Sequence, residues 1–396
     1  MKMLIQVAAA VAVAPFSSVT AWDPWTTEAR DVIGGGACFQ AQAVTLQNGT
    51  VLVAGGSTDL AHAKQTHLWD PARNSWSAGP PMFYGRKGMG MAVLTDGRVM
   101  VAGGDVYRND DSGYISSALA ATVEILDPAT GVWARASKMT TPRQRVSLAA
   151  LADGSAVAFG GTNSADQYGY GLKTAERWDP STQTWAPIEA KMSGNMGVGS
   201  QAATCANGSV LVSGQYAAVM YDPESQTFTA DIAKMTTQRG AGFGLAALGN
   251  GSLVAAGGFD GYSNLQSAEI YMPAGNLWVP LHAMHYKRAG AAATTLRNSS
   301  VLVVGASAPN GATAELWDPA QWRCYAAWQH RPVGSISTTF HRGADTCHRS
   351  HDGTGVNLQT CQEACGPPVC QTAPCQNGGT CSVEKLWLAA GRGRCR

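Results

Sequence analysis

Apolar and polar positions repeat along this chain in a fixed order. An alternating apolar stretch leads into a two-residue turn, and a second apolar strand then ends in a pair of small residues. The clearest copies are TLQNGTVLVAGG, VLTDGRVMVAGG, ALADGSAVAFGG and ALGNGSLVAAGG, which end at residues 56, 104, 161 and 258. Two weaker copies end at Gly214-Gln215 and Gly305-Ala306. Successive copies lie 43 to 57 residues apart, a period that is typical of a repeat architecture.

Each repeat predicts four short strands. An Asn-Gly or Asp-Gly pair between two apolar runs favours a type I′ hairpin, because both central residues need a positive φ. The six turn positions are Asn48-Gly49, Asp96-Gly97, Asp153-Gly154, Asn207-Gly208, Asn250-Gly251 and the weaker Asn298-Ser299. A third strand enters an Asp-Pro turn, and a fourth carries an aromatic residue such as Trp76 or Trp133. The chain therefore predicts an all-β fold of six four-stranded units.

The Gly-Gly, Tyr/Trp-Asp-Pro and Trp spacing resembles the kelch repeat family over roughly residues 22 to 320. The resemblance implies a six-bladed β-propeller, which we place at residues 22–322. Residues Trp22-Asp23-Pro24-Trp25 match the end of a repeat that has no beginning. We therefore expect the N-terminal segment to supply the last strand of the sixth blade, which would remove an open sheet edge.

The segment before the repeats predicts export. Lys2, an apolar run from Leu4 to Phe16 and the small residues before Trp22 have the order of a secretory signal peptide, placed at residues 1–21. No later run reaches the length of a membrane span. We expect the mature protein to be secreted and to have no membrane span.

The cysteines that follow the repeats predict a disulfide framework. They are Cys324, Cys347, Cys361, Cys365, Cys370, Cys375, Cys381 and Cys395. An even set in an exported chain favours disulfides over a zinc site made by His341, His348 and His351. Residues 323–369 form a Cys-rich segment to which we assign no fold. Cys38 and Cys205 fall in opposite blades, too far apart to pair, and we interpret them as buried thiols.

Residues 370–396 resemble part of an EGF-like module. The resemblance rests on Cys370-QTAP-Cys375-QNGGT-Cys381. It implies the pairs Cys370–Cys381 and Cys375–Cys395, although the fifth and sixth cysteines of such a module are missing.

An arginine recurs before the first strand of four repeats, and it has two interpretations. Either the arginines line a ligand pocket, as in some kelch proteins, or each pairs with a glutamate of its own blade. Glu124, Glu176, Glu269 and Glu315 occur in the same four repeats as Arg86, Arg143, Arg239 and Arg288. Repeat 1 has His67 at the Glu position, and repeat 4 has Met196 and Val219 at the two positions. This coincidence favours structural ion pairs over a ligand ring.

The residues offer little for catalysis. A radical-copper oxidase of the galactose oxidase type needs Tyr, His and a Cys cross-linked to Tyr. The repeats carry only His62, His67, His282 and His285, and only His282 to Tyr286 is a candidate set. We expect no catalytic residues, no metal and no cofactor, and we keep a secreted oxidase or glycan-processing enzyme as the alternative.

The loops after the Gly pairs favour binding. They are long at residues 105–121, 162–173 and 259–266, and they share one face of the expected ring. Tyr and small polar residues on loops of a rigid scaffold are typical of recognition surfaces. The candidate binding residues are Tyr107, Arg108, Asp110, Asp111, Tyr114, Tyr168, Tyr170 and Tyr262.

The opposite face carries four N-glycosylation sequons, at Asn48, Asn207, Asn250 and Asn298. A net charge of +1 gives no basic field for nucleic acid. We therefore predict an adhesion or binding module that takes an extracellular protein or glycan partner.

Overall fold

The computed structural model describes residues 25–28, 39–56, 63–109, 115–163, 171–193, 199–215, 217–240, 242–305, 313–319, 373–374 and 380–381. The predicted signal peptide, residues 323–369 and most of the EGF-like segment lie outside these ranges. No helix in the described ranges is long and apolar enough to cross a membrane.

The described residues are almost entirely β-strand and turn. The first twelve strands are β1 (Trp25–Glu28), β2 (Gln42–Thr45), β3 (Val51–Ala54), β4 (Thr66–Asp70), β5 (Ser75–Ala78), β6 (Arg86–Lys87), β7 (Gly90–Val93), β8 (Val99–Ala102), β9 (Asp105–Asn109), β10 (Ile115–Leu119), β11 (Val123–Asp127) and β12 (Val132–Ala136). The next twelve are β13 (Ser147–Ala150), β14 (Ala156–Phe159), β15 (Ala175–Asp179), β16 (Thr184–Ile188), β17 (Gln201–Thr204), β18 (Val210–Ser213), β19 (Ala218–Asp222), β20 (Thr227–Thr229), β21 (Phe243–Ala247), β22 (Leu253–Gly257), β23 (Ala268–Met272) and β24 (Leu277–Leu281). The last are β25 (Ala292–Thr295), β26 (Val301–Val304), β27 (Ala314–Trp317), β28 (Ala373–Pro374) and β29 (Thr380–Cys381), and one 3-10 turn covers Pro273–Gly275.

Six four-stranded antiparallel sheets form in the described part of the chain, and we number them by the position of their innermost strands in the sequence. Sheet 1 is β2 to β5, and sheet 2 is β7, β8, β11 and β12. Sheets 3, 4 and 5 are β13–β16, β17–β20 and β21–β24, and sheet 6 is β25, β26, β27 and β1. β1 pairs with β27, so that Trp25 lies opposite Trp317. The prediction that the N-terminal strand completes the last unit is confirmed.

The core lies between the sheets. Six buried apolar clusters each combine residues from two consecutive sheets. One of them joins Ala43 and Val53 of sheet 1 to Leu302 and Val304 of sheet 6. The sixth sheet thus packs against the first and closes a ring, an all-β arrangement of the β-propeller type. The small and branched side chains of the second strands fit this role, because those strands are buried on both faces.

The hairpin turns differ from the type I′ prediction. In the first, Gly49 N donates to Leu46 O and Leu46 N donates to Thr50 O. Gly49 has a φ of 91°, whereas Asn48 is absent from the described residues with positive φ. This is a three-residue loop that ends in a bulge. The same two hydrogen bonds recur in all six turns, so the type I′ prediction is wrong at each.

The Asn or Asp side chain explains why the alternative turn forms. Its Oδ1 accepts a hydrogen bond from the backbone N–H two residues later, at 2.9 to 3.1 Å in all six turns. This bond holds the side chain over the turn, and only the following residue needs the left-handed conformation.

Candidate binding surface

The two ends of the ring differ in what they carry. We call the end that bears the six hairpin turns, such as residues 46–50, the turn face. We call the opposite end, where the Gly pairs and the insertions after them lie, the insertion face. Antiparallel strand order places the start of every innermost strand, such as Gln42, at the insertion face.

All four predicted Arg–Glu ion pairs are present, and all four are buried. The Nη2 to Oε1 distances are 2.5 Å for Arg86–Glu124, 3.0 Å for Arg143–Glu176, 3.0 Å for Arg239–Glu269 and 2.9 Å for Arg288–Glu315. All eight side chains are at most 1% exposed. At the matching positions of the unpaired repeats, Val219 is buried and Met196 lies outside the described residues.

In the Arg143–Glu176 pair, the remaining hydrogen-bonding groups are met inside the protein. Arg143 Nη1 donates to the carbonyls of Gly160 at 2.8 Å and Thr174 at 2.9 Å. Glu176 Oε2 accepts from the N–H of Thr140 at 2.6 Å, and Oε1 accepts from the N–H of Thr141 at 3.0 Å. A ligand that reached Arg143 would have to displace these internal partners, which argues against a ligand ring.

The surroundings of Arg143 and Glu176 shift the pKa of both side chains. Burial raises the pKa of Glu176, but the hydrogen bonds from Thr140 and the charge of Arg143 outweigh it, so the pKa is lowered overall. Burial lowers the pKa of Arg143, and the Glu176 charge offsets part of that effect.

The insertion in sheet 2 is ordered as a β-hairpin rather than a plain loop. β9 pairs with β10, and β9 also pairs with β6, which gives a three-stranded sheet on the insertion face. The expectation that Tyr107 is an exposed loop residue is wrong, because Tyr107 belongs to β9 and is only 8% exposed. Its N–H donates to Gly85 O at 2.9 Å.

Of the other candidate binding residues, the structure describes only Arg108 and Tyr262. Arg108 lies in β9 opposite Ser116. Tyr262 is 96% exposed at the tip of a turn, where Asp260 Oδ1 accepts from the N–H of Tyr262 and of Ser263. Asp110, Asp111, Tyr114, Tyr168 and Tyr170 lie outside the described residues.

A charged cluster lies where this hairpin meets sheets 2 and 3. Asp105 is directly opposite Lys87 in the β9–β6 pairing, and the Lys87 ammonium lies 5.5 Å from the centre of the Tyr107 ring. Burial raises the pKa of Asp105, while the charges of Lys87 and Arg145 lower it in part. Among the residues that the structure describes here, two cations and one carboxylate give the cluster an excess positive charge.

The six sheets surround a central channel, and we call its opening on the insertion face the mouth. Arg145 belongs to a ring of residues with left-handed backbone conformation at this mouth. Each innermost strand is preceded at the same position by a residue with positive φ. The six are Gln40 (62°), Gly88 (61°), Arg145 (51°), Gly199 (86°), Gly242 (86°) and Gly290 (76°). Their backbones link one sheet to the next: Arg145 N donates to Gly88 O at 2.5 Å, and Gly88 N donates to Gln40 O at 3.1 Å.

Two of the six ring positions carry a side chain despite the strained conformation. Left-handed backbone costs a non-glycine residue about 1–3 kcal/mol, and such strain is concentrated at functional sites. Gln40 and Arg145 lie on either side of Gly88: a Cβ on that glycine would be 3.5 Å from Gln40 Oε1 and 3.3 Å from Arg145 Cγ. The mouth therefore presents the Gln40 amide beside the charged cluster, which includes the Arg145 guanidinium.

A cavity of about 270 Å³ follows the channel behind this mouth. It is lined by innermost strands of all six sheets, from Gln42 at the insertion-face end to Thr45, Ala247 and Thr295 at the other. No side chain is charged among the described residues that line it.

The turn face holds the four predicted glycosylation sites. Asn48, Asn207, Asn250 and Asn298 are exposed. Each uses Oδ1 in its turn, which leaves the amide nitrogen, the atom that a glycan would modify, outside that bond.

The residues in the described ranges do not fit the copper set of a radical oxidase. His285 Nδ1 lies 2.9 Å from Glu315 Oε2, within the fourth Arg–Glu cluster. Cys205 is a free, buried thiol directly after β17, whose pKa is raised by burial. Within these ranges, no group of three or more His, Cys, Asp and Glu residues is arranged to hold a metal ion. His62 and Cys38 lie outside them.

Comparison with solved structures identifies the fold. The structure of YjhT matches with a TM-score of 0.56 and 18% identity, over 71% of this chain and 94% of that chain. A fungal alcohol oxidase of the AA5 family, in complex with copper, matches with a TM-score of 0.51 and 17% identity, over 76% of each chain. These likenesses show a β-propeller-type fold alone. No protein-family model and no curated protein matches the chain.

The sequence did not reveal several residues of this surface. Lys87 and Arg145 follow the recurring arginines by one and two positions, and only the left-handed ring distinguishes Arg145 from an ordinary surface residue. Gln42 and Gln201, in contrast, can be recognised in the sequence. Aligning the repeats on the ring position places Gly90, Ser147, Gly244 and Ala292 where these two repeats have glutamine.

Proposed function

We propose that the chain is a secreted, six-bladed kelch-type propeller that binds an extracellular protein or glycan through its insertion face. In this proposal residues 1–21 are a signal peptide, and residues 370–396 form a partial EGF-like module with the pairs Cys370–Cys381 and Cys375–Cys395. Cys381 lies in β29, and the other three cysteines lie outside the described residues.

The observation that carries the proposal is the strained, positively charged mouth. Arg145 keeps a side chain where four of the six equivalent positions have glycine, and Lys87 and Asp105 lie beside it. Backbone strain and partly buried charge both cost stability, and the attraction between Arg145 and Asp105 offsets only part of the cost of burying the guanidinium. Recognition of a partner with a negatively charged group explains why it is retained.

The β9–β10 hairpin adds to the same surface. It extends the insertion face beyond what sheet 2 needs, since β8 and β11 pair with each other directly. Ordering such a segment costs roughly 1 kcal/mol or more per residue in backbone entropy. A partner that contacts the hairpin offsets this cost.

The proposal is tested by shortening the hairpin. Residues 105–119 are replaced by a minimal turn, and wild type and variant are screened on arrays of glycans and of extracellular proteins. We expect every ligand of the wild type to be weakened at least tenfold in the variant, while the turn-face variant Arg98→Ala binds normally. A folded short-hairpin variant that binds as wild type contradicts the proposal.

The alternative is a secreted enzyme of the galactose oxidase-like or glycan-processing type. One observation favours it, the structural similarity to a copper-containing alcohol oxidase. The described histidines and Cys205 do not support it. Copper analysis of the purified protein, together with peroxide release on galactose and simple alcohols, separates the two: stoichiometric copper with turnover would establish the enzyme.

A further inference from the structure

We propose that the central channel is a separate binding site for one small, neutral, polyhydroxylated molecule of the carbohydrate class, held by the side-chain amides of Gln42 and Gln201. This site is distinct from the charged mouth and does not depend on the β9–β10 hairpin. The argument rests on the position of the two glutamines, the chemistry of the lining and the size of the cavity.

The two glutamines face each other across the ring. Gln42 is the first residue of β2 in sheet 1, and Gln201 is the first residue of β17 in sheet 4, three sheets away. Both line the cavity. The equivalent residues of the other four sheets are small, and two of them cannot be larger. A Cβ on Gly90 would be 2.7 Å from Leu148 Cβ, and one on Gly244 would be 2.6 Å from Ala293 Cβ. The mouth end of the channel thus has two long polar side chains and open space between them.

The hydroxyl groups of the other polar side chains in the described lining already have partners within the protein. Thr45 Oγ1 lies 3.1 Å from Thr294 Oγ1, Thr295 Oγ1 donates to Ala247 O at 2.6 Å, and Ser147 Oγ donates to Ser200 O at 2.5 Å. These bonds tie neighbouring sheets together. The amides of Gln42 and Gln201 are only partly buried and take part in none of these bonds, so they are the polar side chains of the described lining that remain for a ligand.

The chemistry of the lining selects the ligand class. An amide offers two N–H donors and a carbonyl acceptor, which matches hydroxyl groups that both donate and accept. None of the described residues that line the cavity is charged, so a charged ligand would lose its hydration without a counter-charge from them. Met91, Leu148 and Leu245 supply apolar contacts for the C–H faces of a sugar ring. A volume of about 270 Å³ is slightly smaller than most ligand pockets, which start near 300 Å³, and therefore suits no more than a single sugar unit.

The test uses the full-length protein with D-glucose, D-galactose and D-mannose as neutral probes and D-glucuronate as a charged one. Titration calorimetry is expected to give one site per chain for at least one neutral hexose. Gln42→Met and Gln201→Met keep the side-chain length and remove the hydrogen bonds, and each should weaken that hexose roughly 3- to 10-fold. Gln47→Met, an exposed glutamine at the turn face, is the matched control and should leave affinity unchanged.

A second measurement uses the wild-type protein, so it does not depend on whether the glutamine variants fold. With methyl-labelled methionine, the resonance of Met91, which lines the cavity, should shift on addition of the hexose. That of Met192, buried between sheets 3 and 4, should not. If no neutral hexose moves Met91 or binds in calorimetry, if both glutamine variants bind as wild type, or if glucuronate binds equally well, the proposal is wrong. The short-hairpin variant keeps the channel intact, so its hexose affinity separates this result from a failure of the insertion-face proposal.

Discussion

Gly55 and the carbonyl oxygen of Arg86 are in close approach across the boundary between sheets 1 and 2. A Cβ on Gly55 would lie 2.5 Å from that oxygen, and the adjacent Gly56 N donates to it at 3.0 Å. Gly257 has the same relationship to Arg288, at 2.6 Å. The Gly-Gly signature of the repeat therefore marks the point where the next arginine's backbone enters, and the arginine's side chain then turns back to its own sheet.

Gly55→Ala should be strongly destabilising for this reason. A matched control is Gly131→Ala, because Gly55 and Gly131 have φ values of 67° and 70° but Gly131 has no atom within 4 Å of a Cβ. Both variants incur the strain of left-handed alanine, roughly 1–2 kcal/mol, and only Gly55→Ala adds the clash, about 1–3 kcal/mol more. Urea unfolding of both measures the difference. Equal losses would show that the close approach does not matter.

Arg143→Met should lower stability by about 3–5 kcal/mol, because it leaves the Glu176 carboxylate buried without its partner. The control is Arg98→Met, which removes an exposed pair with Asp96 at 2.7 Å and should cost less than about 1 kcal/mol. Denaturation midpoints and partner binding are measured together. A variant of unchanged stability that no longer binds would favour the ligand-ring interpretation of the arginines.

Glu176→Gln should change how stability depends on pH. Because the folded-state pKa of Glu176 is lowered, its contribution is complete above the ordinary carboxyl range of about 4.3 and is lost as pH falls through the folded pKa. The variant should be less stable than wild type at pH 7, and the gap should narrow towards pH 3. Unfolding free energies across this range test it, with the exposed Glu224→Gln as control. A difference in unfolding free energy that stays constant across this pH range would contradict the lowered pKa of Glu176.

Local chemistry made most of the fold predictable. Turn residues such as Asn48 and Asp96 marked the hairpins, and their position in all six repeats compensated for the wrong turn type. The β9–β10 hairpin was missed because its apolar residues, such as Val106 and Leu119, are few and do not alternate regularly. The two glutamines of the channel stand out when the repeats are aligned, but the sequence did not show that they line one cavity, since Gln42 and Gln201 face each other only when the ring closes.

N-glycans should occupy only the turn face, and only part of it. Asn48, Asn207, Asn250 and Asn298 are exposed and keep their amide nitrogens outside the turn bonds. The turns of sheets 2 and 3 have Asp96 and Asp153 instead, so this sector should stay bare. Peptide mapping with and without glycosidase, on protein from a eukaryotic secretory host, locates the glycans. Unmodified asparagine at all four sites would end this prediction.

Replacing Arg145 by glycine should separate stability from recognition. Four of the six equivalent ring positions have glycine at positive φ, and Arg145 is held at 51°. Its backbone bond to Gly88 O survives the replacement, and the strain of about 1 kcal/mol or more is relieved. The cost of burying part of the guanidinium, which lowers the pKa of Arg145, is removed as well. Arg145→Gly should therefore unfold at the same or a slightly higher urea concentration than wild type.

The same replacement should weaken binding of the insertion-face partner at least tenfold, because the guanidinium is one of the two cations in the described part of the charged cluster. Arg145→Lys, which keeps the charge and the strain, should retain more of the binding at equal or lower stability. Binding constants and urea midpoints for the three proteins give the answer in one experiment. A clear loss of stability in Arg145→Gly, with partner binding intact, would mean that Arg145 serves the packing between sheets 2 and 3 and that recognition lies elsewhere on the ring.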